Sequence, residues 1–143
     1  MSEAEVEIRK MVVEREFAHP PRKLWQALTQ PHLIAEWLMK NDFVPAVGHR
    51  FNLTGDWGGT LDCEVLEIEP EETLSYTWNF AHNDPAFDLK SVVTFTLAAA
   101  GDGTRLRVEQ TGFRPEQRQA FGGARVGWEK FLGKLEQLLE RGD

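Results

Sequence analysis

The stretch Ala120–Glu140, AFGGARVGWEKFLGKLEQLLE, decides how the rest of the chain has to fold. Trp128, Phe131, Leu132, Leu135, Leu138 and Leu139 stand at offsets 0, 3, 4, 7, 10 and 11. That spacing returns to one face of a helix, so the segment reads as amphipathic. Extending the face backwards adds Phe121, Ala124 and Arg125. Glycines at 122, 123, 127 and 133 each oppose a helix by about 1 kcal/mol relative to alanine. Close helix–sheet packing, a late start near residue 124, or a loose first turn beside a cavity would each account for them. Arg125 on an apolar face needs a carboxylate, water or a ligand, because burying an unpaired guanidinium is costly.

A broad apolar stripe needs a sheet to cover, and the preceding sequence supplies one. Val6–Phe17 alternates as a strand until the AHPP segment stops it, since proline donates no N–H and fixes φ. RKLWQALTQ and PHLIAEWLM read as two short helices opened by Pro21 and Pro31. Leu24, Leu28, Leu33, Ile34, Trp37 and Leu38 are expected to face inward. HRFNLTG puts His49, Phe51 and Leu53 on one face, and the DWGG turn follows. Leu61, Cys63 and Val65 alternate, then the phase slips to Leu66 and Ile68, which predicts a bulge. Leu74, Tyr76, Trp78 and Phe80 share a face. LKSVVTFTLAAA and TRLRVEQTGF form a hairpin about a Gly-Asp-Gly turn. The expected class is α+β: an antiparallel sheet of about six strands around a long C-terminal helix, with two short helices between strands 1 and 2.

Composition narrows the function classes. A chain of 143 residues is expected to be one domain, residues 1–143. No apolar run approaches the ~20 residues of a membrane span. The start, MSEAEVEIRK, is acidic and polar, so a cytoplasmic location without membrane insertion is expected. A net charge of −7 with scattered basic residues argues against nucleic acid. The single cysteine, Cys63, forms no internal disulfide and no Cys-based zinc site. His19, His32 and His82 lack metal-motif spacing, and no phosphate loop or GxSxG elbow is present. Neither a metal nor a cofactor is therefore expected. Five tryptophans and nine phenylalanines against one tyrosine suggest a wide, aromatic-walled interior.

The segments REFAHPPRKLWQALTQPHLIAEWL (Arg15–Leu38), VLEIEPEETLSYTW (Val65–Trp78) and GWEKFLGKLEQLL (Gly127–Leu139) resemble the SRPBCC or START-like superfamily. Within it they are most similar to the family named for homologues of the activator of heat-shock-protein-90 ATPase. The resemblance implies the helix-grip fold and an apolar cavity between sheet and helix. It also implies that a hydrophobic small molecule, aromatic or lipid-like, is the expected partner. Relatives cyclise polyketides or act as co-chaperone domains in the stress response. Two other readings therefore stand beside binding: a cyclase- or hydrolase-type enzyme on a bulky apolar substrate, and a co-chaperone-like interaction module.

The expected cavity lining is Trp37, His49, Phe51, Trp57, Tyr76, Trp78, Phe80, Phe95, Arg125 and Trp128, with no catalytic residue assigned. Arg125 would grip a ligand carboxylate, pair with Glu109 or Asp62, or snorkel to the surface. His49 would be a polar contact, and Trp57 a gate at the mouth. An enzyme would need His49, Arg125 or Glu109 as a polar pair inside the cavity. Strand edges leave room for a homodimer.

Overall fold

The computed structural model describes residues 9–55, 59–80, 89–114 and 117–141. β1 (Arg9–Phe17) ends at the prolines, as the missing donor requires. Helix α1 (Pro21–Thr29) and helix α2 (Pro31–Trp37) each carry a proline in the first turn, where its absent N–H costs nothing. Five longer strands follow a two-residue one: β2 (Lys40–Asn41), β3 (Arg50–Thr54), β4 (Thr60–Glu69), β5 (Thr73–Phe80), β6 (Leu89–Ala100) and β7 (Gly103–Phe113). The chain then runs through α3 (Arg118–Arg141).

The seven strands form one antiparallel sheet in the order β1-β7-β6-β5-β4-β3-β2. It is curved and unclosed. Its two edges, β1 and β2, are consecutive strands, so α1 and α2 carry the chain from one edge to the other. The strand additional to the expected six is β2, inside a stretch that shows no alternation. Asn41 organises it. Its amide donates to the carbonyls of Pro31 and Met39, and its side-chain oxygen accepts from the Phe43 N–H.

The expected slip in β4 is present. The β4–β5 register shifts between Val65 and Glu67. Leu66 is turned out to solvent, while Val65 stays in the core. A second bulge lies in β7. Arg9 pairs with Phe113 and Lys10 with Thr111, so Gly112 is the extra residue. Gln110 and Phe113 are both buried although three residues apart, which only a bulge between them permits.

α3 begins at Arg118, ahead of its glycines, so the late start is not what explains them. Close packing does not explain the first three either. A Cβ placed on Gly122, Gly123 or Gly127 would meet nothing within 4 Å. Gly122→Ala and Gly123→Ala are therefore expected to raise stability by about 1 kcal/mol each. Urea unfolding measures this, and a loss of stability would contradict it.

Trp128, Leu132, Leu135, Leu138 and Leu139 form the buried face of α3. The helix lies closest to β1, α2 and α1, and touches β7 more lightly. Arg15 on β1 bonds Glu136 on α3 at 2.6 Å and ties that flank. Facing the middle strands, side chains rather than backbone bridge the gap. This is where the tryptophans and phenylalanines converge.

Candidate functional site

Alternation on β3, β5 and β6 turns Phe51, Tyr76, Trp78 and Phe95 into the core. The rings form a continuous series. Phe51 meets Tyr76 at 5.0 Å, Tyr76 meets Phe95 at 5.8 Å, and Phe95 meets Trp128 at 5.6 Å between centroids. Trp128 also touches Trp78 at 5.1 Å and Phe131 at 5.6 Å. Trp37 reaches Phe95 edge-on at 6.4 Å. Its indole N–H donates to the Ala27 carbonyl at 2.8 Å, which locks α2 onto α1. Six of the ten expected lining residues thus meet in one interior group: Trp37, Phe51, Tyr76, Trp78, Phe95 and Trp128.

The other four stand differently. Phe80 is half-buried against the core. His49 lies just before β3, at the rim. Its Nε2 is 3.2 Å from the Asp42 carbonyl, and its ring stacks on Phe51 at 6.4 Å. Trp57 lies outside the described residues. Arg125 is exposed, and its guanidinium donates to the Val12 carbonyl at 3.4 Å. The expectation that Arg125 lies on the apolar face is corrected by helix geometry. At ~100° per residue it stands roughly 60° from Trp128, on the flank towards β1. A side chain that long reaches past the sheet edge to solvent.

The suggested partners of Arg125 are engaged elsewhere. Glu109 binds Arg107 at 3.1 Å and Asp62 accepts from Asn52 at 2.8 Å. His49, Arg125 and Glu109 therefore lie at the rim, on the helix flank and on the outer sheet face. They do not form an acid–base pair inside the molecule.

A buried polar chain escaped the sequence reading. The Trp128 indole N–H donates to Gln110 Oε1 at 2.8 Å. The Gln110 amide donates to Ser91 Oγ at 3.0 Å, and the Ser91 hydroxyl donates to the Trp78 carbonyl at 2.6 Å. Gln110 is 1% exposed and Ser91 4%. The available signal was phase: Gln110 follows Leu106 and Val108, and Ser91 precedes Val93 and Phe95, each at a spacing of two. The chain fixes the indole ring of Trp128 against the sheet and satisfies each of its own members.

Two groups in the interior lean towards the neutral state. Burial raises Tyr76 well above its ordinary value, helped by the nearby Cys63. Burial, then Asp62 and Asp42, pushes the Cys63 thiol from 9.0 up to about 12. A thiol held protonated is a poor nucleophile. Cys63 should resist iodoacetamide at pH 8 in the folded protein and label only after urea unfolding; equal rates would contradict this. The sign for stability follows. The unfolded chain loses this proton near pH 9 and the folded chain does not, so stability is intact below pH 9 and declines towards pH 12.

A groove of 490 Å³ opens between α2, β2, the end of β3 and α3. Trp37, Leu38, Met39 and Phe131 form its apolar part, while Lys40, Thr54 and Lys134 stand around it. Trp37 and Phe131 belong to both the groove and the aromatic series, so the groove adjoins that series. A smaller groove of 320 Å³ between α1, α2 and the end of α3 includes Arg22, Gln26, Leu33 and Leu138. No ring of the aromatic series lines it. Among the described residues no cluster of His, Cys, Asp and Glu could hold a metal. No described helix is long and apolar enough to cross a membrane.

Residues 18–140 match the family model described as "Activator of Hsp90 ATPase homolog 1-like protein". Among solved structures, a protein from Mesorhizobium loti is 71% identical, with a TM-score of 0.92, covering 94% of this chain and 99% of that one. CalU16 from Micromonospora echinospora is 26% identical, with a TM-score of 0.77, over 93% of this chain and 77% of that one. The Aha1 dimer from Colwellia psychrerythraea is 22% identical, with a TM-score of 0.79, over 94% of this chain and 98% of that one. That likeness concerns the fold alone. No curated protein matches the chain.

Proposed function

The chain belongs to the Activator of Hsp90 ATPase homolog 1-like family, within the SRPBCC superfamily, and from that premise we propose that it binds a hydrophobic, ring-bearing or lipid-like small molecule between the sheet and α3. The groove that shares Trp37 and Phe131 with the interior carries the proposal. Its 490 Å³ falls within the ~300–1,000 Å³ usual for small-molecule sites. Flat ring faces give apolar contact without fixing a ligand's orientation. The fold supports the reading too, because related domains commonly hold hydrophobic ligands.

Native mass spectrometry of the protein as purified, followed by analysis of a denatured extract, tests the reading. A retained apolar molecule in stoichiometric amount is expected. An empty protein that also fails to bind a panel of apolar fluorophores would overturn it.

A further inference from the structure

We propose that the mouth of this groove contains a subsite for an anionic group, so that the preferred ligand is an amphiphile with an apolar body and a carboxylate, sulfonate or phosphate head. The inference rests on the binding reading above and adds the chemical class. Lys40 comes from the short edge strand β2, directly across the ladder from Thr54. Lys134 comes from α3, one turn beyond Phe131, so it shares that ring's side of the helix. Both lysines and Thr54 line the same groove. Neither lysine makes an ion pair among the described residues.

Among the described residues the one carboxylate in the lining is Glu36, and Arg141 already holds it at 3.0 Å. Among the described residues, two lysines without an ion pair and a hydroxyl donor therefore line the opening together with Leu38, Met39 and Phe131. The protein as a whole carries a net charge of −7, so its long-range field repels anions. Attraction has to be local, which suits a head group held at the mouth while the body lies against Phe131 and Trp37. Charge-assisted bonds from two ammonium groups fit a compact anion.

The test uses two probes of nearly the same body. 8-Anilinonaphthalene-1-sulfonate carries a sulfonate, and N-phenyl-1-naphthylamine does not. Titration by fluorescence is expected to show saturable 1:1 binding of both to the unchanged protein. Lys40→Met with Lys134→Met should weaken the sulfonate roughly tenfold and leave the neutral probe within about twofold. The control pair Lys10→Met with Lys130→Met removes the same charge elsewhere and should leave both affinities unchanged. Added salt should weaken only the sulfonate. If the neutral probe binds and the Lys40/Lys134 change leaves the sulfonate unaffected, the anionic subsite is overturned and the binding reading stands. If the control pair weakens the sulfonate equally, the effect is net charge and the subsite is again overturned. If neither probe binds, the binding reading fails and takes the subsite with it.

Discussion

Trp128→Phe is expected to destabilise the protein by about 3 kcal/mol. Part of this is the smaller ring: a cavity opens where Trp128 met Trp78, Phe95 and Phe131. The rest is polar. Phenylalanine has no N–H, so Gln110 Oε1 is left buried without its donor, a loss of about 1–3 kcal/mol. Gln110→Leu strands the indole N–H instead, and takes a donor from Ser91 Oγ. The double variant removes both ends of the main bond at once. It should therefore cost at least about 1 kcal/mol less than the sum of the singles. Urea denaturation of the four proteins measures the coupling. Additive costs would mean that the Trp128–Gln110 bond contributes nothing to stability.

Gly112→Ala should cost about 3 kcal/mol or more. Gly112 has φ +127, where only glycine is comfortable. A Cβ there would stand 2.4 Å from the Lys90 carbonyl oxygen and 2.9 Å from Ser91 Cα. Both obstacles are backbone of the neighbouring strand, so no side-chain rotation relieves them. The bulge lets β7 present Gln110 and Phe113 to the core from positions of opposite parity. Losing it should therefore disturb the Trp128–Gln110–Ser91 chain as well as the sheet edge. A small loss, below about 1 kcal/mol, would show that the strand absorbs a side chain at this position.

These two sites mark the boundary of what periodicity reveals. Strand alternation located Tyr76 and Trp78, and the spacing in α3 located Trp128, because both depend only on which way successive side chains point. Prolines marked the starts of α1 and α2 by a local mechanism. The slip from Val65 to Leu66 announced the β4 bulge. It did not reveal that Leu66 would face solvent, because an apolar residue at a bulge carries no sign of direction.

Arg125 was misplaced because the stripe was extended by spacing alone, and a position roughly 60° from its centre is its edge. β2 was missed because two residues show no period. Gln110 and Ser91 broke the apolar phase in plain view. Their role could not be read because their partners, Trp128 and Trp78, come from distant parts of the chain. The groove is likewise a product of packing: Trp37, Lys40, Thr54, Phe131 and Lys134 come from four elements that meet only in the folded molecule.

The measurement closest to the central claim is a ¹H–¹⁵N titration of the tryptophan indoles with N-phenyl-1-naphthylamine. Trp37 lines the groove, Trp128 lies behind Phe131, and both indole N–H groups have known acceptors, the Ala27 carbonyl and Gln110 Oε1. A molecule entering between α2 and α3 is expected to shift these two signals together, saturably and at one equivalent. Shifts confined to the half-buried Trp25 of α1, or no saturable shift at all, would contradict binding between the sheet and α3.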